Sequence, residues 1–242
     1  MKSIIFLIPF FNEEKNLKTL SDLIKKISLT RNFSYKILFL DDCSPDNSFK
    51  IIQEFKSQNM DDNLIIYQNS QNLGHGKSLL KLFELTKDYI DDADTIVTLD
   101  SDMKIEYNEF NEIFESENSV ICKRSRFEEG LFRTLITLSA EFIIFLKTGK
   151  LWRDGNCPLR IYKKEDFLII SSLIPKNILT PNIISTIIFV KRKIPYTRKK
   201  INLIHDNKNS GVTWKGKNPL SKYIKILNFS LKSSFEVLRF KI

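Results

Sequence analysis

The 242-residue chain has few of the residues that staple small proteins or bind soft metals: three cysteines and two histidines. Cys43, Cys122 and Cys157 are far apart, with no CxxC spacing and no histidine beside them. That pattern points to reduced thiols of a cytosolic protein and argues against a zinc site. No apolar run reaches the ~18 residues a spanning helix needs, so no transmembrane segment is expected. The opening Met1-Lys-Ser-Ile-Ile-Phe-Leu-Ile-Pro9 imitates a signal peptide, but it runs into Asn12-Glu13-Glu14 without a small-residue cleavage site. It reads as a first core strand instead. There is no repeat of fixed period, no low-complexity linker and no nucleic-acid recognition motif, so nucleic acid is not an expected partner. Gly76-Lys77-Ser78 lacks the glycine a phosphate loop needs five residues before Gly76, where Gln71 stands.

Charge is present but polarised. Lysine and arginine outnumber aspartate and glutamate by 38 to 29, and the excess lies mainly after residue 190, in Lys191-Arg-Lys193, Arg198-Lys-Lys200 and the stretch beyond Lys215. Such a distribution favours contact with an anionic surface over a globally basic fold. The length allows a sizeable core. Residues 1–200 read as one α/β domain carrying the chemistry, and residues 201–242 as a basic amphipathic tail.

What organises the chain is a set of apolar runs that stop on acids. Thr95-Ile-Val-Thr-Leu-Asp-Ser-Asp102 is the clearest. A buried strand ending in Asp-X-Asp places two carboxylates at the C-terminal sheet edge, where open α/β folds bind ligands. Alternation sends Asp100 and Asp102 to the same side, so both can reach one Mg²⁺ or Mn²⁺, ions that take few carboxylates plus substrate phosphate oxygens. Alone, such a pair also fits a solvated turn at the end of a strand. Residues 4–8 form an earlier strand closed by Pro9, after which Asn12 could cap a helix with Glu13 and Glu14 in its first turn, or Glu13 could face the sheet edge. Tyr35 to Leu40 is a second strand and ends on Asp41 and Asp42. Two adjacent carboxylates repel, and binding of base or ribose hydroxyls would give them a reason. Ser44 and Pro45 read as the start of the following helix.

After a third strand at 63–67, Gly74 and Gly76 permit close backbone approach, and Lys77 near a helix start can help hold an anion. His75 reads as a loop residue. A short helix at 107–114, a strand around 119–122 and a long apolar helix within 127–150 follow. Strand and helix thus alternate as in a mostly parallel sheet covered on both faces. In the polar loop 152–160, Asp154 is the best further candidate for a catalytic carboxylate. A strand is expected to begin at Ile161, and the apolar run Ile183 to Val190 reads as a last strand.

The segments Ile8-Pro-Phe-Phe-Asn-Glu13, Leu40-Asp-Asp-Cys-Ser-Pro-Asp46, Asn72-Leu-Gly-His-Gly-Lys77, Leu99-Asp-Ser-Asp102 and Ser125-Arg126, in this order, resemble the family 2 glycosyltransferases of GT-A fold. Within that family the chain is most similar to dolichyl- or polyprenyl-phosphate sugar transferases, over roughly residues 1–200. The resemblance implies that Pro9, Phe11 and Glu13 line the base and ribose of a nucleotide-sugar donor, with Asp41 or Asp42 completing the pocket. It implies a divalent metal, Mg²⁺ or Mn²⁺, at Asp100 and Asp102, and an acceptor phosphate facing Arg126 and Arg133. Asp154 and Arg160 match an aspartate and arginine around a Cys-Gly-Phe-Arg-like segment, here Cys157-Pro-Leu-Arg160. Lys104 stands where that branch usually has glutamine, and Pro158 where it has glycine. The implied activity is sugar transfer to a polyprenyl phosphate. The rival readings are transfer to a glycan hydroxyl, with Asp154 as base, and a non-catalytic nucleotide-sugar binding module.

The tail adds a location. A helix after Pro219 would align Leu220, Ile224, Leu227, Leu231, Phe235 and Leu238 on one face, with Lys222, Lys225, Lys232 and Arg239 elsewhere. That stripe suits either docking on the protein's own core or peripheral contact with an anionic membrane at its inner, cytoplasmic face.

Overall fold

The computed structural model describes residues 1–103, 105–124, 131–202 and 219–242, and within them all side chains except those of 131–133, 135 and 219–223. Strands β1 (Lys2–Phe10), β2 (Phe33–Asp41), β3 (Leu64–Gln68) and β4 (Thr95–Thr98) arise from the apolar runs, and the first three are followed by helices α1 (Leu17–Arg31), α2 (Ser48–Asn59) and α3 (His75–Leu85). β1 pairs in parallel with β2 and β4, and β2 with β3. Along β1, Ile4, Phe6, Ile8 and Phe10 join a core with Leu17, Leu20, Ile24 and Ile27 of α1. Ile5 and Leu7 join the opposite core with Leu79, Leu82 and Phe83 of α3. Burial of both faces is why a central parallel strand is apolar throughout and not alternating.

The second half contributes α4 (Tyr107–Glu112), β5 (Ser119–Arg124), α5 (Leu131–Thr148), β6 (Arg160–Lys163), α6 (Lys164–Leu173), α7 (Pro181–Lys191), β7 (Tyr196–Ile201) and α8 (Pro219–Arg239). One sheet results, in the order β3-β2-β1-β4-β6-β5-β7. β6 runs antiparallel to both neighbours, and β5 is parallel to β7. The expected α/β fold, a mostly parallel sheet with helices on both faces, is present.

Three local expectations are corrected. The run Ile183 to Val190 is not a strand but the body of α7, whose residues Pro181 to Val190 are all buried. A continuous apolar run cannot by itself separate a buried strand from a buried helix, and Pro181 at the first helical position marks the helix start. The last strand is instead the basic β7, an edge strand whose Arg198, Lys199 and Lys200 discourage pairing with another sheet. Helices α1 and α2 also begin later than Asn12 and Ser44 suggest, because Asn12 and Cys43 adopt left-handed backbone (φ 58° and 61°). These turns keep Glu13 and the residues after Asp42 at the sheet edge instead of inside a helix.

Gly76 sits where α3 meets the segment leading into α7. A Cβ there would lie 2.1 Å from the Leu179 carbonyl oxygen, a backbone atom that cannot swing away. Gly76→Ala should therefore cost about 1–3 kcal/mol of stability. An unchanged denaturant midpoint would show that the two elements separate freely.

The tail helix α8 is docked, but not through its apolar stripe. Ser233 and Val237 are buried, Glu236 Oε2 accepts the Leu179 N–H at 2.9 Å, and Lys147 Nζ donates to the carbonyls of Leu238 and Phe240. A lysine on the last carbonyls of a helix is a favourable cap. Ile224, Leu227, Leu231, Phe235 and Leu238 are left exposed; the Leu220 side chain lies outside the described residues.

Candidate active site

Parallel pairing of β1 with β2 and β4 brings three strand ends to one edge, with Phe10 opposite Asp41 and Leu7 opposite Thr98. The loops that follow are clasped together. Asn12 N–H donates to Ser44 Oγ at 3.0 Å, Glu13 N–H to Ser48 Oγ at 2.7 Å, and Asn47 N–H to Glu14 Oε1 at 2.6 Å.

Asp41 and Asp42 are both buried, and each has its own set of donors. Asp41 accepts from the Ser44 N–H at 3.0 Å, the Ser44 hydroxyl and Gln68 Nε2 at 2.8 Å. Asp42 accepts from the N–H groups of Leu73 and Gly74, both at 2.8 Å, and from Asn69 Nδ2 and Ser78 Oγ, both at 2.9 Å. These bonds offset the repulsion between adjacent carboxylates and hold the glycine-bearing segment 69–78 against the sheet edge. Ser44 apart, their partners lie some 30 residues downstream, which no local pattern announces.

Glu13 lies beside the Asp-X-Asp. Burial raises its carboxyl to about 7; the Asn16 amide opposes the shift, and Asp102, Asp100 and Asp46 add to it. A folded pKa above the unfolded value of 4.5 means the folded state holds the proton longer, so stability falls as pH rises between 4.5 and about 7. In metal-free protein, Glu13→Gln should therefore gain on the wild type across that window. Parallel pH profiles of the two unfolding midpoints would show that Glu13 is solvated.

Asp102 keeps an exposed side, yet desolvation and then Asp100 raise its pKa, against the opposing charges of Arg124 and His75. Asp100 Oδ1 is buried and has no hydrogen-bond partner among the described residues, with His75 Nε2 3.4 Å away. His75 is the first residue of α3, not a loop residue, and both it and Arg124 are neighbours of the site. Arg124, at the end of β5, donates through Nε and an Nη to the two oxygens of Asp154, at 3.0 and 3.2 Å, and its N–H adds a third bond at 2.9 Å. Asp154 has left-handed backbone (φ 51°), and its own N–H is held by Glu141 Oε1 at 2.9 Å. It is thus an ion-paired anchor for Arg124, buried at the site's floor.

Arg160 is fully buried and is a structural clasp. Its guanidinium donates to the carbonyls of Cys157 and Gly155, at 2.9 and 2.6 Å, and to Thr186 Oγ1 at 2.9 Å, fastening the loop that carries Asp154 to α7. Pro9 is buried in β1 opposite Leu40, Phe11 is half-buried at the edge, and Lys77 is exposed in the first turn of α3. Lys104 and Arg126 lie outside the described residues, as does the side chain of Arg133, a residue of α5.

This edge of strand-end carboxylates is matched by the Glycosyl transferase family 2 profile over residues 5–164. The chain belongs to that family. Two relatives are undecaprenyl-phosphate 4-deoxy-4-formamido-L-arabinose transferases: that of Proteus mirabilis, 27% identical across 65% of this chain and 48% of its own length, and that of Yersinia pestis, 26% identical across 68% and 50%. The chain spans about half the length of these curated relatives. Among solved structures, mannosyl-3-phosphoglycerate synthase from Rubrobacter xylanophilus superposes with a TM-score of 0.65 at 13% identity, covering 98% of this chain and 74% of that one. Glucosyl-3-phosphoglycerate synthase from Mycobacterium tuberculosis, crystallised with Mn²⁺ and UDP-glucose, gives 0.61 at 15% identity, covering 97% and 79%. The fold of this family 2 glycosyltransferase is GT-A.

The donor set at its Asp-X-Asp fits a hard divalent ion. It offers oxygen only, and among the described residues one of these atoms is buried without a hydrogen bond and no third His, Cys, Asp or Glu completes an all-protein cage. Mg²⁺ and Mn²⁺ sites shared with a diphosphate have that character.

Proposed function

We propose that this glycosyltransferase moves a sugar from a nucleotide-diphosphate sugar to a polyprenyl phosphate, with Mg²⁺ or Mn²⁺ held by Asp100 and Asp102. The observation that carries the proposal is the buried Asp100 Oδ1, which has no hydrogen bond among the described residues, beside Asp102 and Glu13 at the shared end of β1, β2 and β4. The relatives' undecaprenyl-phosphate substrate supports the acceptor, and the Mn²⁺ and UDP-glucose of the M. tuberculosis structure support the donor and ion class. Bound there, a divalent ion supplies Lewis-acid stabilisation of the leaving diphosphate.

The chain's own residues do the rest. Phe11, Pro9 and Glu13 line the base and ribose, while Asp41 and Asp42 shape the pocket by fixing segments 44–48 and 69–78. Lys77, in the first turn of α3, offers charge to the diphosphate where the helix dipole already favours an anion. Arg126 and Arg133 orient the acceptor phosphate through charge-assisted hydrogen bonds. An acceptor phosphate is already a nucleophilic anion and needs no general base. A glycan hydroxyl would need one. Asp154, the candidate base, has both oxygens engaged by Arg124, and that favours the phosphate.

A lipid-borne acceptor also places the protein peripherally on the inner, cytoplasmic face of a membrane. In support, no helix among the described residues is long and apolar enough to cross one, and the apolar stripe of α8 faces away from the protein.

The test is a panel of nucleotide sugars with and without Mn²⁺. At 100 times its Kd, a ligand adds about 2.7 kcal/mol of stability. For a chain of this size, that raises the midpoint by roughly 5–10 °C. At least one donor should do so in an ion-dependent manner and be slowly hydrolysed. Stabilisation without any hydrolysis would favour the non-catalytic binding module, and no stabilisation by any donor would contradict the site.

A further inference from the structure

The unexplained feature of this molecule is a concentration of exposed apolar side chains on two helices that touch. On α5, Leu138, Phe142, Phe145 and Leu146 follow one stripe and are exposed, Phe142 by 60%. On α8, Ile224, Leu227, Leu231, Phe235 and Leu238 form another, with Leu231 exposed by 61%. α5 and α8 are packed together around Ile136, Ala140, Ile143, Phe229, Ser233 and Val237, and each helix carries its stripe away from that seam. Exposed apolar stripes on two touching helices mark an interaction site.

Charge decides what covers it. The only acid of α5, Glu141, is turned inward onto the Asp154 N–H, and the only acid of residues 219–242, Glu236, onto the Leu179 N–H. The outward charges near the stripes are basic: Lys150, Lys225, Lys232, Arg239 and Lys241 are all exposed. Where α8 ends, Lys147, Lys191 and Lys241 surround a cleft of about 300 Å³ beside Ile187, Phe240 and Ile242. Arg239 lies 3.9 Å from the Phe235 ring centroid, an apolar body with its cation alongside, as at a lipid–water boundary. A second copy of this chain would set cations against cations. An anionic bilayer surface satisfies both properties, taking the stripes into its acyl boundary and the lysines among its phosphates.

We infer that α5 and α8 together form a bilayer-docking surface for anionic lipid, with α5 contributing as much as the tail. The inference deepens the membrane side of the proposed function.

The experiment is co-sedimentation of the full chain with phosphatidylglycerol-containing vesicles or with phosphatidylcholine alone, at low and high salt. The wild type should pellet with anionic vesicles and be released by salt. A Leu138→Ser, Phe142→Ser, Leu146→Ser variant should need at least about tenfold more lipid for half binding, because each side chain loses its apolar burial. A Leu231→Ser, Phe235→Ser, Leu238→Ser variant should do the same, and both should keep the wild-type unfolding midpoint, since the replaced side chains are exposed. Wild-type binding by the α5 variant would overturn the inference. So would a vesicle-free dimer of the wild type that the α5 variant dissolves, since a second copy would then cover the face. Vesicle binding is read without donor or acceptor, so failure of sugar transfer leaves this result standing, and loss of vesicle binding leaves donor stabilisation unaffected.

Discussion

Replacing Asp102 with asparagine should lower sugar transfer at least ~10²-fold, because the change removes an anionic metal ligand at the point where leaving-group charge develops. Stability should not fall with it. Desolvation and the neighbouring Asp100 raise the Asp102 pKa, so the ionised carboxylate costs the folded state free energy. The sign follows from proton linkage: an acid with a raised folded pKa makes the fold less stable as pH climbs through the unfolded and then the folded value. An uncharged isostere removes that cost, and the unfolding midpoint at neutral pH should hold or rise. A residue kept for stability would behave the other way round. Wild-type turnover in Asp102→Asn would remove the metal assignment, and a large drop in midpoint would assign the residue to the fold.

Arg160→Ala should produce the largest loss of stability. Truncation empties the volume of a fully buried arginine and deletes the donors to Cys157 O, Gly155 O and Thr186 Oγ1. Gly155 O keeps the Thr186 hydroxyl at 2.9 Å, so the Cys157 carbonyl is the acceptor left without its arginine donor. An orphaned buried acceptor costs about 1–3 kcal/mol, and a large-to-small core change about 2–5 kcal/mol. Together these indicate a loss of about 4 kcal/mol, roughly 10 °C in the midpoint of a domain this size. Arg160→Lys should recover little, since a lysine cannot reproduce the guanidinium fork. Because the loop held by Arg160 carries Asp154, which in turn holds Arg124, donor binding should weaken in the same variant. Denaturant unfolding checks the first effect, and a change below 1 kcal/mol would mean the clasp is dispensable.

Which features were legible in the sequence follows from the range of the interactions involved. Strands β1, β2 and β4 are continuous apolar runs because both faces of a central strand are buried, and the acids that follow them stand out against that background. The order of acids at Glu13, Asp41, Asp42, Asp100 and Asp102 was therefore readable, and so was the family. The long apolar run of α7 carried no equivalent distinction, since a helix buried all round loses its periodicity. For Asp41 and Asp42 the sequence offered only a ligand-binding reason, because apart from Ser44 their protein partners, Gln68, Asn69, Leu73, Gly74 and Ser78, meet them only through the fold. Asp154 suggested a base for the same reason: Arg124 is 30 residues away in sequence. The amphipathic stripe of α8 was visible, but which side would face the protein depended on Glu236 finding the Leu179 N–H. No spacing rule encodes that contact.

The most direct test of the proposed reaction is transfer of labelled sugar into the organic phase, measured on purified full chain given a polyprenyl phosphate, Mn²⁺ and each of a panel of nucleotide sugars. The expected result is lipid-extractable label from at least one donor, abolished by chelation and by Asp102→Asn. Organic-phase label that never exceeds the no-enzyme control, from a chain that binds or hydrolyses a donor in the same samples, would contradict the polyprenyl phosphate as acceptor.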